Sequence, residues 1–358
     1  MKNILLIRLR LIGDVVFTTP IPRALKQVFP GARLTYVVEP AAAPIVRGNP
    51  YLDEVIVTTP PHGGLKRILE DVALARRLRK GRYDLVIDLH GGPRSSWLTW
   101  ASGAPQRIGY EIEGRAWMYT RRVPRPRELR PRHSVLNQWD LLEAIDGWPG
   151  AKPDPTANPV EMSPDPAVEA DIERRLSAAG IGAEHELLVA HVSAGNPFRR
   201  WPEASFTRLV AGLAAGSPMR RIILSSGPSD REAADRIAAA ARLELGDAAN
   251  RIVEFGEFGI AELRALVTRS RLFVGGDTGP LHVAATTATP IVGIYGPTES
   301  ARSAPWRDRR LVTESVEITG LPCRPCDQRV CEPGDFRCLT TLRPEDVLLA
   351  AERALRCA

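Results

Sequence analysis

Cysteine is absent from the first 322 residues, since all five cysteines lie beyond Pro322. That excludes the evenly stapled framework of a small secreted domain. Long apolar runs are also lacking: stretches such as Ile4–Ile7 fall far short of the ~18–20 residues that cross a bilayer. Arg8 and Arg10 interrupt the first apolar stretch before a signal-peptide core can form, so a cytoplasmic chain is expected. Several chemical signatures are missing. There is no G-x-x-x-x-G-K-[ST], no G-x-G-x-x-G after the first apolar run, no H-E-x-x-H and no G-x-S-x-G. Phosphate-loop hydrolysis, dinucleotide-dependent dehydrogenation, zinc proteolysis and serine hydrolysis are therefore disfavoured. No two aspartates stand as D-x-D, so a metal-chelating diphosphate motif of that kind is absent too.

The 358 residues are 44% hydrophobic and 25% charged, which fits a globular chain of one large or two ordinary domains and excludes disordered or fibrous structure. The net charge is +6, and it is concentrated: residues 121–132 (RRVPRPRELRPR) hold six arginines and one glutamate. The basicity is a local patch on an otherwise nearly neutral chain.

Apolar β-type runs alternate with helical patterns. Strands are expected at Asn3–Ile7, Arg33–Val38, Glu54–Val57 and Asp84–Asp88, with helices at Pro20–Val28 and Leu65–Arg79. Residues 149–166 hold six prolines with little periodicity and form the best linker candidate. The pattern then restarts. Strands are expected at Leu187–Val192, Arg221–Ser225, Arg251–Phe255, Leu272–Gly275 and Ile291–Tyr295, with helices at Pro202–Ala214, Asp230–Ala240, Ile260–Ser270 and Pro280–Thr287. A last helix runs from Pro344 to Leu355. Strands alternating with helices imply an α/β chain of two doubly wound Rossmann-like domains facing across a cleft.

Three strand ends carry chemistry. The first is Arg8-Leu-Arg-Leu-Ile-Gly-Asp14. A carboxylate there can act as general base, worth about 10²–10⁴-fold in rate, although Asp14 could equally N-cap a helix. The second is Val274-Gly-Gly-Asp277-Thr278-Gly279-Pro280-Leu-His282. Proline in a first helical turn leaves backbone amides to hold a phosphate; Asp277 would accept from sugar hydroxyls or hold the loop. The competing reading is a Thr278-capped helix with a core-facing His282. The third is His191-Val-Ser193-Ala-Gly195-Asn-Pro-Phe-Arg199-Arg200-Trp201-Pro202. Small residues admit a ligand to the backbone, and either arginine could grip phosphate or remain a surface charge.

Together these segments resemble the ADP-heptose:lipopolysaccharide heptosyltransferases, glycosyltransferase family 9, over nearly the whole chain. The order and spacing of I-R-L-R-L-I-G-D, H-V-S-A-G-N-P-F-R-R-W-P and G-G-D-T-G-P-L-H, with a trailing I-Y-G-P-T, carry the resemblance. It implies the GT-B architecture, with residues 1–165 binding the acceptor and 166–343 the nucleotide sugar; the closing helix in 344–358 would return to the N-terminal half. It implies inverting transfer of heptose from ADP-heptose to a lipopolysaccharide inner-core acceptor, with Asp14 matching the base. Ser193, Gly195, Arg199, Asp277, Thr278, Gly279 and His282 match donor-binding positions, as does Asp230 or Glu232. Arg199 replaces a common lysine. The alternative is another GT-B enzyme with a different nucleotide sugar and another cell-envelope glycan. With no D-x-D, no metal or other cofactor is expected to be required in the reaction.

Arg121, Arg122, Arg125 and Arg127 are then candidates for holding the anionic core or lipid A-linked acceptor, with peripheral contact to the inner membrane surface. Nucleic acid is not expected, because no aromatic residues interleave the patch. Cys323-x2-Cys326-x4-Cys331-x6-Cys338 reads either as a structural zinc or disulfide cluster or as reduced thiols.

Overall fold

The computed structural model describes residues 1–59, 64–125, 132–150 and 152–357. The chain divides into two compact units, with the boundary between Ser163 and Pro164.

In the first unit, strands β1 (Asn3–Ile7), β2 (Arg33–Val38), β3 (Glu54–Val57), β4 (Leu85–Asp88), β5 (Gln106–Glu111) and β6 (Arg121–Pro124) form one sheet in the order β3-β2-β1-β4-β5-β6. All its pairings are parallel. Parallel strands need crossovers, which here include the helices Pro20–Val28, Leu65–Lys80 and Pro93–Ala101. Strands covered on both faces require continuous apolar runs; Ile4, Leu5, Leu6 and Ile7 are accordingly fully buried. Leu78 and Leu98, one from each of the last two helices, pack with Leu5, Ile7 and Val86.

The second unit opens with a helix, Pro166–Ala178, whose N–H groups at Ala167 and Val168 are capped by the Asp165 carboxylate. Its strands are β7 (Glu186–His191), β8 (Arg220–Ser225), β9 (Ile252–Val253), β10 (Leu272–Gly276), β11 (Ile291–Tyr295) and β12 (Thr313–Glu317), again all parallel. The order is β12-β11-β10-β7-β8-β9. Counted within each unit, both sheets have the Rossmann order 3-2-1-4-5-6. Strand order therefore reverses between β1 and β4 in one unit and between β7 and β10 in the other. Ligands of such sheets bind at the carboxyl ends of the strands flanking that reversal.

The unit boundary lies within the proline-rich stretch 149–166, and the residues just before it are tied to the first unit. Glu161 pairs with Arg23, its N–H donates to Thr19 Oγ1 at 2.8 Å, and Ser163 donates to the Gly48 carbonyl at 2.7 Å. With Val160 and Met162 buried, the segment is strapped to the first unit. The closing helix, Pro344–Arg356, belongs to the second unit. Val347, Ala350, Ala351 and Ala354 are buried in the second unit's own core, with Leu209, Leu213 and Val292.

Candidate functional site

At the first reversal the chain leaves β1 through Arg8 and enters a short helix, Ile12–Val16. Leu11 is the N-cap and Asp14 lies inside the helix, so the capping role is excluded. Arg8 is buried. Its Nη2 stands 2.5 Å from Asp14 Oδ2, and its Nη1 donates to the Leu89 carbonyl at 2.5 Å. One guanidinium thus ties the loop after β1 to the end of β4 and orients the Asp14 carboxylate, which remains partly exposed.

The neighbouring strand end is organised by Asp88. This fully buried carboxylate accepts from the N–H groups of His90 and Gly91 at 2.9 and 2.8 Å, from Ser95 Oγ at 3.0 Å and from Tyr119 Oη at 2.6 Å. The turn needs Gly91 at φ 69°, in the left-handed region. Burial and the nearby Arg8 charge lower the His90 pKa. Burial and Asp88 raise that of Tyr119. Neither Arg8 nor Asp88 was singled out from the sequence. A signal was present, because Asp88-Leu-His-Gly-Gly-Pro93 repeats the acid, glycine and proline grammar of Gly276-Asp277-Thr278-Gly279-Pro280.

At the second reversal, Arg199 and Asp277 meet. Arg199 Nη1 lies 3.2 Å from Asp277 Oδ2 and donates to the Asp277 carbonyl at 3.0 Å, while its Nε donates to Gln328 Oε1 at 2.8 Å. His282 Nε2 is 3.5 Å from Asp277 Oδ1. Burial acts to raise the Asp277 pKa, but His282 and Arg199 together hold it below the ordinary carboxylate range. Both carboxylate oxygens are covered. Neither oxygen accepts a hydrogen bond from a loop N–H; the carboxylate faces Arg199 and His282 instead. Thr278 is the N-cap of the helix Gly279–Ala284, but its hydroxyl makes no cap bond and donates to the Gly276 carbonyl instead. His282 is buried yet faces Asp277.

Ser193, after β7, donates to Asp230 Oδ2 at 2.7 Å and accepts from the Gly227 N–H at 3.0 Å. Arg200 takes the other Asp230 oxygen at 2.8 Å. Asp230 is thus occupied, leaving Glu232 as the exposed acid of that pair. Of the two arginines, Arg199 belongs to the Asp277 loop and Arg200 to Asp230. Gly195 is exposed, with no atom within 4 Å of where a Cβ would stand. Beside the ends of β8 and β9 is a cavity of about 260 Å³ lined by Gly227, Arg231, Phe255 and Phe258 among others.

The arginine patch is not uniform. Arg121 and Arg122 lie on the edge strand β6, but Arg121 is paired with Asp146 at 2.5 Å, and Arg132 grips Asp140 through two bonds of 2.6 Å. Arg122 and Arg125 are exposed. The Arg125 guanidinium lies 5.4 Å from the Tyr110 ring centroid and close to Gly91. Arg127 lies outside the described residues.

A chain with two Rossmann-ordered sheets, each presenting charged side chains at its reversal, has the architecture of the GT-B glycosyltransferases. Residues 72–333 match glycosyltransferase family 9 (heptosyltransferase), and the chain belongs to that family of enzymes. It is similar to lipopolysaccharide heptosyltransferase 3 of Escherichia coli, 25% identical over 354 residues and covering 97% of both chains. Its fold is similar to that of the family 9 glycosyl transferase of Veillonella parvula DSM 2008, with a TM-score of 0.83, 23% identity and coverage of 100% and 98%. It also resembles E. coli heptosyltransferase WaaC with ADP-2-deoxy-2-fluoro heptose, with a TM-score of 0.68, 21% identity and coverage of 98% and 99%.

Proposed function

We propose that the chain transfers heptose from ADP-heptose to a lipopolysaccharide inner-core acceptor with inversion at the anomeric carbon. The observation that carries this reading is the pair of oriented charges at the two reversals: Asp14 held on Arg8, and Arg199 held on Asp277. In this scheme the Asp14 carboxylate takes the proton from the acceptor hydroxyl as its oxygen bonds to the anomeric carbon. The bond to ADP breaks, and the departing diphosphate gains negative charge. Arg199 and the N–H groups of Thr278 and Gly279 stabilise that charge; preorganised donors of this kind contribute about 3–4 kcal/mol each. The cavity beside β8 and β9 suits a nucleoside, since both aromatic and charged side chains line it.

The acceptor would be held through Arg122 and Arg125, two exposed cations of the arginine patch, on the cytoplasmic side of the inner membrane. No helix among the described residues is long and apolar enough to cross a membrane.

The replacement of lysine by Arg199 makes donor identity the point to test. Thermal shift with ADP-, UDP-, GDP- and dTDP-sugars should give the largest stabilisation with ADP-heptose, and the product's new linkage, read by NMR, should show inversion. Activity should survive EDTA. A larger shift with another nucleotide sugar would establish the alternative donor, and a strict divalent-metal requirement would overturn the charge-stabilisation scheme.

A further inference from the structure

The C-terminal cysteines take no part in the chemistry above, yet their surroundings are unusual. From Ile318 to Phe336 the chain contains neither helix nor strand. Irregular stretches of this length are uncommon inside a folded domain unless something other than secondary structure fixes them. The stretch wraps a cavity of about 430 Å³, and Cys323, Cys326, Cys331 and Cys338 all line it. The sulfur of Cys326 already accepts a hydrogen bond from the Gln328 N–H at 3.3 Å. Backbone donors to sulfur are the outer-shell contacts that stabilise a metal-bound thiolate. The fifth cysteine, Cys357, is exposed near the chain end and does not line the cavity.

We propose that Cys323, Cys326, Cys331 and Cys338 bind one thiophilic divalent ion, zinc or ferrous iron, in a four-thiolate tetrahedral site. The Cys323/Cys326 spacing is that of structural thiolate sites, and a soft, all-sulfur donor set selects these metals. Among the described residues, no group of three or more His, Cys, Asp or Glu side chains already stands at metal-binding separation. Binding would require the four thiols to draw together, each losing its proton to solvent.

The ion would fasten a loop that supports the second reversal. Gln328 accepts from Arg199 Nε and from Asn196 Nδ2, both at 2.8 Å, and donates to Thr298 Oγ1 at 3.1 Å. The role is positional, with the metal outside the reaction.

The test uses the full chain purified under reducing, chelator-free conditions. Elemental analysis should find about one zinc or iron per chain, the stoichiometry of a single four-thiolate site. Cys326→Ser and Cys331→Ser should each lose it, while Cys357→Ser keeps it. Because the serine variants could fail to fold, the wild-type chain is also stripped with a thiol-binding mercurial, released with excess thiol and refilled with Co²⁺ alone. Intense thiolate-to-cobalt charge-transfer bands and tetrahedral d–d bands, lost on adding Zn²⁺, are expected. Three results would each overturn the proposal: a chain that arrives without metal and develops no such bands, metal that persists in both serine variants, or intact mass showing these four cysteines paired as disulfides. None of these readouts depends on the donor or acceptor, so they stand apart from the assignment of the reaction.

Discussion

At the end of β1 the arginine is buried and the acid reaches solvent, with side-chain exposures of 8% for Arg8 and 38% for Asp14. At the end of β10 the arrangement is reversed: Asp277 is 3% exposed and Arg199 is 32% exposed. The two sheets share one strand order, and each reversal carries one Arg–Asp pair. Which partner is buried decides what a ligand meets. The first unit offers an oriented carboxylate, suited to removing a proton. The second offers an oriented guanidinium, suited to phosphate. In each pair the buried member is the anchor, and removing it would leave its exposed partner poorly directed.

The most severe way to break the comparison is to remove the exposed carboxylate. Asp14→Ala should cut kcat by about 10²–10⁴-fold, the worth of a general base, and leave ADP affinity nearly unchanged by calorimetry. Loss of ADP affinity with turnover retained would refute the base assignment. Next is the exposed cation. Arg199→Met should lower kcat/KM by about 10²–10³-fold, equivalent to losing one preorganised donor, with the effect falling on the donor and not on the acceptor KM. Arg199→Lys should recover only part, since an ammonium restores charge but not the fork that now spans Asp277 and Gln328. Full recovery would mean that charge alone matters at this position.

Much of this was legible before any coordinates, and the limit is physical. Central strands such as Ile4–Ile7 and Val274–Gly276 are covered on both faces, and their apolar runs announce them. The edge strands β6 and β12, Arg-Arg-Val-Pro and Thr-Glu-Ser-Val-Glu, are half exposed and carry no such run. The loop residues after β1, β7 and β10 could be placed at strand ends because those strands were clear. Their partners could not. Arg8 reaches Leu89, Ser193 reaches Asp230, and Arg121 reaches Asp146, contacts that exist only once crossovers bring distant segments together. The neutralisation of Arg121 and Arg132 was hidden for that reason, and so was the gathering of four cysteines around one cavity.

Each reversal also carries an imidazole, buried at His191 and half-buried at His90, and acid should separate the two. Burial pushes the His191 pKa down to about 4, and its Nδ1 lies 2.7 Å from Ser225 Oγ. Burial lowers His90 as well. The sign follows from linkage. Below the ordinary histidine value near 6.5, the unfolded chain binds a proton that the folded unit does not. Stability is therefore intact at pH 7 and is lost as pH falls from about 6.5 toward 4, by up to about 3 kcal/mol for His191. Urea unfolding of the wild type and His191→Gln across that range should show a shallower acid dependence in the variant. Equal slopes would mean that His191 is not the group responsible.

The smallest expected effect concerns the arginines of the first unit, where pairing sorts one cation from another. A basic side chain near an anionic surface contributes about 1 kcal/mol, or roughly fivefold in affinity. Arg122→Ser and Arg125→Ser should each raise the acceptor KM by about that factor, and together by more, with donor KM unchanged. Arg121→Ser should do less, because its guanidinium already sits 2.5 Å from Asp146 and donates to the Ala144 carbonyl. Steady-state titration of a lipopolysaccharide-core acceptor at two salt concentrations measures the difference, since the Arg122 and Arg125 contributions should shrink as salt screens them. Equal effects from all three substitutions would show that the acceptor senses the summed charge of the strand edge, and the distinction between anchored and available arginines would then hold only at the two reversals.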